Sequence, residues 1–501
     1  MISPADAIIL SLAAPLAATA VIALLDRRPN LREAATLLMG GALIALTVVV
    51  FLAVGEGARP GFVLMTVVGG LPIAFEAEPL GAMFAVLASV LFLVNSLYSI
   101  GYMRAGSEKR QTRFYMCFAI AIASAIGVAY AANLFTLFFF YEALTLSTWP
   151  LVTHKGDDRA RHGGRVYLGL LMGASIGLLL PAIVWVYSIA GSTDFAPGGI
   201  LAAPLKDAGA TPAILLGLFL FGAAKAALMP VHSWLPSAMV APTPVSAFLH
   251  AVAVVKAGVF AVLKIAVYIF GIDFLAATGA GEAYLWIAGL SILLASAIAM
   301  HQDNLKARLA WSTVSQLSYV TLGAMLATSM GALGGGLQIA AHAAGKMTLF
   351  MCAGAIYVAH KKTLVSELRG LGAKMPLTFI LFFIGAMSIV GLPPAGGSWP
   401  KFLLMLGAAD AGELLVIGVL ILSSLLNVVY LLSIPVEAFY FLPAKPGEKP
   451  QGSGGRPIDW RRIEEAPFLC VLPPALTALF ALLLFLLADP LYRYLLPIVA
   501  G

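Results

Sequence analysis

The sequence predicts an all-α polytopic membrane protein of about fourteen transmembrane helices, and three observations lead there. Of 501 residues, 61% are apolar and only 11% are charged, with a mean hydropathy of +0.97. A soluble domain carries charge on roughly 25% of its residues, so this chain has too little polar surface to face water. Apolar runs long enough to cross about 30 Å of hydrocarbon recur from end to end. Finally, basic residues are collected in alternate connections, as multi-pass proteins arrange them.

In order, the runs lie near 4–25, 34–54, 80–103, 114–131, 133–153, 166–190, 212–230, 243–270, 283–300, 307–328, 333–358, 376–409, 414–441 and 467–487. The first lacks a basic leader and a small-residue cleavage site, so it is expected to be a retained helix. Connections after odd-numbered runs hold 22 basic residues, from Arg27, Arg28 and Arg32 through Lys306 and Arg308 to Arg461 and Arg462. Connections after even-numbered runs hold Arg59 and Lys206 among acids such as Glu56, Glu76, Glu78, Asp194 and Asp207. The positive-inside rule then puts both termini on the outer, periplasmic side of a bacterial inner membrane. The net charge of +6 belongs to those loops, and no nucleic-acid partner is expected. Cys117, Cys352 and Cys470 are scattered through apolar runs without a CxxC pair. No metal or cofactor is expected, and any redox chemistry would belong to a partner.

Setting the loops aside leaves Lys225, Lys256, Lys264, Lys346 and Lys401 within spans, together with Glu142, His250 and His342 and, nearer a cytoplasmic end, Glu437. A lysine at a helix centre costs roughly 2.5–3.5 kcal/mol, so each reads first as function, facing protein or a water-filled cavity. Lys225 and Lys256 flank a stretch broken by Pro230, Pro236, Pro242 and Pro244, and Lys401 follows GLPPAGGSWP. Such breaks free backbone groups that only protein or cavity water can satisfy. His250 precedes Lys256 by six residues, about 9 Å of helix, a reach that water can bridge. Gln338, His342 and Lys346 recur every four residues as one polar stripe, a relay or a packing seam. Lys264 either solvates a cavity or snorkels, and Glu142 either switches or pairs structurally with Lys225.

These residue types suit proton exchange. Desolvation loosens a lysine's hold on its proton and a nearby carboxylate tightens it, so a Glu142–Lys225 pair that opens and closes is a switch. Histidine titrates near neutrality and suits intermediate stations. One deep carboxylate among lysines is poor material for an oxygen cage around sodium. Lys225 and Lys401 lie 176 residues apart, in the seventh and twelfth runs. Five spans is an odd offset, the mark of inverted repeats whose half-helices meet near the midplane. The expected units are an N-terminal three-helix region at 1–110, half-channels at 111–272 and 280–442, and a cytoplasmic loop with a last helix at 443–501.

Several stretches, FYEALTLSTWPL, KAALMPVHSWLPSAMVAPTPVSAFLHAVAVVKAG, HQDNLKARLAWSTVSQLSYV, HAAGKMTLFMCAGA and GLPPAGGSWPKFL, together resemble one family. It comprises the antiporter-like proton-conducting subunits of respiratory complex I, Mrp-type sodium/proton antiporters and membrane-bound hydrogenases. The stretches run in family order over about residues 80–440. The resemblance implies a fourteen-helix fold with two inverted five-helix units and broken helices 7 and 12. It also implies other membrane subunits as partners, protons and in the antiporters sodium as transported ions, and no catalytic centre within this chain. By the same resemblance Glu142 is the fifth-helix glutamate, Lys225, Lys256 and Lys401 are the seventh-, eighth- and twelfth-helix lysines, and His250, His342 and Lys346 link the half-channels. Lys264, Glu437 and His232 are further relay candidates. Glu437 stands where many relatives have a basic residue, and the chain ends soon after the fourteenth run, as in shorter subunits such as the Mrp D type. The competing classes are a membrane arm of an NADH:quinone oxidoreductase or hydrogenase, a self-sufficient secondary transporter, and a scaffold with degenerate charges.

Overall fold

The computed structural model describes residues 2–67, 71–441 and 463–500. Its helices are, in order, α1 (Pro4–Leu24), α2 (Pro29–Gly55), α3 (Pro79–Ala105), α4 (Gln111–Ala129), α5 (Leu134–Val152), α6 (Asp158–Ala190), α7 (Thr211–Gly222) and α8 (Thr243–Phe270). There follow α9 (Glu282–Met300), α10 (Leu305–Met325), α11 (Ser329–His360), α12 (Pro376–Val390), α13 (Ser398–Asp410), α14 (Leu414–Tyr440), α15 (Phe468–Leu486) and α16 (Ala488–Leu495). Eleven of the described helices are long and apolar enough to cross a membrane.

Local sequence sets many of the starts. Ser3, Asn133, Asp157, Asn304 and Thr328 each accept a backbone N–H from the first turn of α1, α5, α6, α10 and α11. These short polar side chains satisfy donors that a helix leaves open at its N-terminus. α10 is long but polar, and its Ser312, Ser315, Gln316, Ser318 and Thr321 are all buried. Such side chains serve helix association where hydrocarbon supplies no hydrophobic drive.

The two runs expected to be broken are interrupted in the structure. α7 stops at Gly222, and the chain turns through a short 3-10 segment, Ala224–Ala226, before a four-residue helix at Trp234–Ser237. α12 stops at Val390, where Gly391 at φ +88° takes a left-handed conformation that L side chains rarely adopt. The two stops are 168 residues apart, not the 176 that separate Lys225 and Lys401. Lys225 immediately follows its half-helix, whereas Lys401 sits in the first turn of the helix after its break. Gly258 lets α8 touch the first break, since a Cβ there would lie 2.2 Å from the Ala226 nitrogen.

α8 and α11 form the centre. The apolar windows of both are wholly buried, against a third in α1, α2 and α6. The core is continuous around them, with Phe84 against Phe260 and Phe118 stacked on Phe248.

Other expectations change in detail. Between α2 and α3 a hairpin pairs β1 (Gly61–Thr66) with β2 (Pro72–Glu76), antiparallel with Gly61 opposite Glu76, an element the span pattern misses. α6 begins eight residues earlier than its apolar run, and a π turn at Ser175–Leu179 precedes Pro181. Arg32, expected in a loop, is buried in α2 and donates to Gln111 and Thr112, while the neighbouring Glu33 pairs with Arg104. His154, just beyond the end of α5, is buried edge-on to Phe114. The loop basics Lys445, Lys449, Arg456, Arg461 and Arg462 lie outside the described residues.

Candidate functional site

The break after α7 is held by Trp234, whose indole N–H donates to the Ala224 carbonyl at 2.9 Å. That turn aims Lys225, fully buried, at α5. Its Nζ donates to the Tyr141 carbonyl at 2.8 Å and lies 3.2 Å from the centre of the Tyr141 ring, while its backbone N–H donates to the Tyr141 hydroxyl. The expected Glu142–Lys225 ion pair is not formed. Both Glu142 carboxylate oxygens are buried and have no hydrogen-bond partner among the described residues. Lys225 instead uses the adjacent residue, whose carbonyl and ring face hold an amine without fixing a second charge. The carboxylate is thus left one residue away and unengaged.

At the centre, Lys256 on α8 meets His342 on α11, with Nζ hydrogen-bonded to Nδ1. The sequence paired Lys256 with His250 through water. In the structure His250 turns aside, its ring 4.6 Å from that of Phe350, with both nitrogens buried and unpartnered among the described residues. The Gln338–His342–Lys346 stripe is real, with its two ends bonded to α10 and its middle member to α8. Gln338 donates to Gln316 on α10 at 2.9 Å, His342 meets α8, and Lys346 donates to the Leu309 carbonyl at 3.2 Å.

The second break holds Lys401. Its Nζ donates to the carbonyl of Val390, the last residue of α12, at 2.7 Å, and to the Ser424 hydroxyl at 3.0 Å, 5.0 Å from the centre of the Tyr319 ring. The aliphatic stem lies directly over Gly391, where a Cβ would be 2.7 Å from Lys401 Cδ. At each break the lysine therefore meets a carbonyl and a tyrosine face, both from Tyr141 of α5 at the first, and from Val390 of α12 and Tyr319 of α10 at the second.

Three candidates stand apart from this line. Glu437 is ion-paired with Arg369 at 2.9 Å, both partly exposed. His232 is half-buried in the first break, 5.2 Å from the Trp311 ring. Lys264 pairs with buried Glu78 at 3.4 Å and donates to the Ala131 carbonyl, and Tyr268 donates to the same carboxylate at 3.0 Å. Glu78 was read as an ordinary loop acid. Its position before Pro79 was the available signal, because it caps α3 through the N–H groups of Leu80 and Gly81. Tyr141, Tyr319, Gln316 and Ser424 also went unnoticed, being uncharged. Among the described residues no group of three or more His, Cys, Asp or Glu could hold a metal.

Residues 131–427, which contain every residue of the line from Glu142 to Lys401, match the NADH:quinone oxidoreductase/Mrp antiporter transmembrane family. The chain belongs to that family. It is a membrane-embedded, multi-pass member, 32% identical over 395 residues to NADH-quinone oxidoreductase subunit N of Desulforudis audaxviator (strain MP104C), covering 77% of each chain. It is also 32% identical over 341 residues to hydrogenase-4 component B of Escherichia coli (strain K12), covering 65% of this chain and 49% of that one. The chain spans about half the length of this and several other curated relatives. The fold matches a chain of the Mrp complex from Dietzia sp. DQ12-45-1b with a TM-score of 0.84 at 23% identity, covering 100% of this chain and 97% of that one. This antiporter-family subunit thus resembles components of multi-subunit membrane complexes.

Proposed function

We propose that the chain is a proton-translocating subunit of a multi-subunit membrane complex, most similar in role to the D subunit of an Mrp-type monovalent cation/proton antiporter. The observation that carries this reading is the Lys256–His342 contact, which joins α8 to α11 midway along a buried set of titratable groups running from Lys225 to Lys401. Buried charge of this kind is retained in membranes for ion paths. Fourteen crossings, with inverted five-helix units at 111–272 and 280–442 flanked by segments at 1–110 and 443–501, give each half one broken helix. Both termini then face the periplasmic side of a bacterial inner membrane.

In this mechanism Lys225 resting on Tyr141 is the open state of the switch. When the Glu142 carboxylate swings to the ammonium, Lys225 keeps its proton. When the pair parts, the proton is free to move through water towards Lys256 and His342. Lys346 passes it along α11, and Lys401 releases it at the second break. Glu142→Gln and Lys225→Ala should each abolish coupled transport in vesicles while leaving assembly intact. Near wild-type proton flux in either variant, at matched protein level, would overturn the switch.

A second reading, a membrane-arm subunit of a quinone oxidoreductase or hydrogenase, is favoured by the 32% identity shared with subunit N over 77% of both chains. The subunits that co-purify decide between them: redox subunits support the second reading, and small transport subunits the first. Recovery of a functional single chain would instead support a stand-alone transporter.

A further inference from the structure

A cavity of about 790 Å³ lies on the face that carries the basic connections, where α5 ends and α6 begins. Three elements charge its wall. Arg110 precedes α4, Lys155 lies in the connection from α5 to α6, and Arg161 and Arg165 stand in the first turns of α6. Among the described residues Asp158 is the one acid of the wall, and it meets Arg161 at 3.6 Å. The side chains of Arg110, Lys155 and Arg165 have no hydrogen-bonded or ion-paired partner among the described residues. Four positive charges against one make the wall a seat for an anion, and guanidinium forks match the oxygens of a phosphate. Trp149 closes the cavity on the α5 side, its ring exposed and its indole nitrogen 3.2 Å from where a Cβ on Gly164 would lie. Tryptophan at a helix end marks the level of the lipid headgroups. Beyond that level the surface is apolar and bare. Arg161, Arg165, Gly169, Gly173 and Gly177 recur every four residues and so share one face of α6, and a Cβ on any of the three glycines would meet nothing within 4 Å. On α5, Leu146 and Phe139 are exposed on the same side as Trp149. From Arg165 to Gly177 is about 18 Å of helix, longer than half of a ~30 Å hydrocarbon layer.

We infer that this cavity and the glycine face beneath it seat one anionic phospholipid, its phosphate among Arg110, Lys155, Arg161 and Arg165 and an acyl chain along Gly169, Gly173 and Gly177. The competing occupant is a transmembrane helix of a partner subunit, which small-residue faces also admit. The charge decides for lipid. A helix gains from such a face by close approach along its length, and the long side chains of Arg161 and Arg165 occupy the head of this one. A flexible chain that ends in a phosphate uses the glycines and the arginines together, and basic pockets between membrane helices take anionic headgroups. Because the four cations come from three separate elements, the bound phosphate ties the start of α4 to the start of α6.

The test places the assembled complex in phosphatidylcholine vesicles that carry a trace of phosphatidylglycerol with a photoreactive diazirine in its acyl chain. Irradiation should label residues 139–177, and unlabelled phosphatidylglycerol should compete while added phosphatidylcholine should not. Arg161→Gln combined with Arg165→Gln should lower the labelling at least about tenfold. Should that variant fail to assemble, Gly173→Trp fills only the open space over α6 and should likewise remove the label from this stretch. Undiminished labelling in either assembled variant overturns the inference. Equal competition by phosphatidylcholine also overturns it, leaving unselective contact with the bilayer. Competition by inorganic phosphate as strong as by phosphatidylglycerol overturns the lipid in favour of a soluble phosphate. Labelling that appears only once the neighbouring subunits are removed overturns it in favour of a partner helix.

Discussion

Lys256→Met is the sharpest test of the central line. Methionine nearly matches the length of the lysine stem and keeps the packing of α8, but it removes the amine that meets His342. The stability change is a difference of opposing effects. Leaving His342 Nδ1 without its hydrogen bond costs about 1–3 kcal/mol, and the loss of a buried ionisable group offsets much of that. The variant should therefore insert and assemble. Transport has no such compensation. A proton crossing this level without the amine sits as an unstabilised charge at the membrane centre, which costs roughly 2.5–3.5 kcal/mol. At about 1.4 kcal/mol per tenfold, flux should fall on the order of 100-fold. Lys256→His keeps an exchangeable site and should retain part of the activity. Lys256→Arg, always protonated, should not. The assay is proton flux in vesicles at matched assembly. More than about a third of wild-type flux in Lys256→Met would refute the idea that protons pass from α8 to α11 here.

Lys401→Arg should fail almost as fully as Lys401→Ala, because a guanidinium cannot release a proton; good transport in Lys401→Arg would make Lys401 a fixed charge. Orientation is testable with Thr363→Cys and Lys206→Cys, both exposed, the first expected to react with membrane-impermeant reagents from the cytoplasmic side and the second from outside. Burial, with Arg113 nearby, pulls the His154 imidazole down to about 4, so the unfolded chain binds more protons than the folded one between pH 6.5 and about 4. Stability attributable to neutral His154 is therefore complete above pH 6.5 and lost as pH falls towards 4. His154→Phe, which keeps the ring against Phe114, should flatten that part of a melting-temperature profile, and an unchanged slope would assign the acid sensitivity elsewhere.

That the chain lives in a membrane, roughly where its helices run, and which residues are too expensive in hydrocarbon to lack a purpose can all be read from the residues in order. Lys225, Lys256, Lys346 and Lys401 stand out because apolar surroundings make each charge conspicuous. The breaks were legible in their prolines and glycines. Which groups meet is set by the packing of the helices. Lys256 finds His342, 86 residues away, in place of His250 on its own helix; Lys225 rests on Tyr141 instead of Glu142; and Glu78 and Lys264 are brought together from 186 residues apart. A helix in water announces its inner face by an apolar stripe. In a membrane the lipid-facing and protein-facing sides are both apolar, so the pattern that reveals the helix leaves its rotation unspecified. Rotation and close approach, such as α8 touching the first break at Gly258, choose the partners, and those depend on contacts that no local pattern contains.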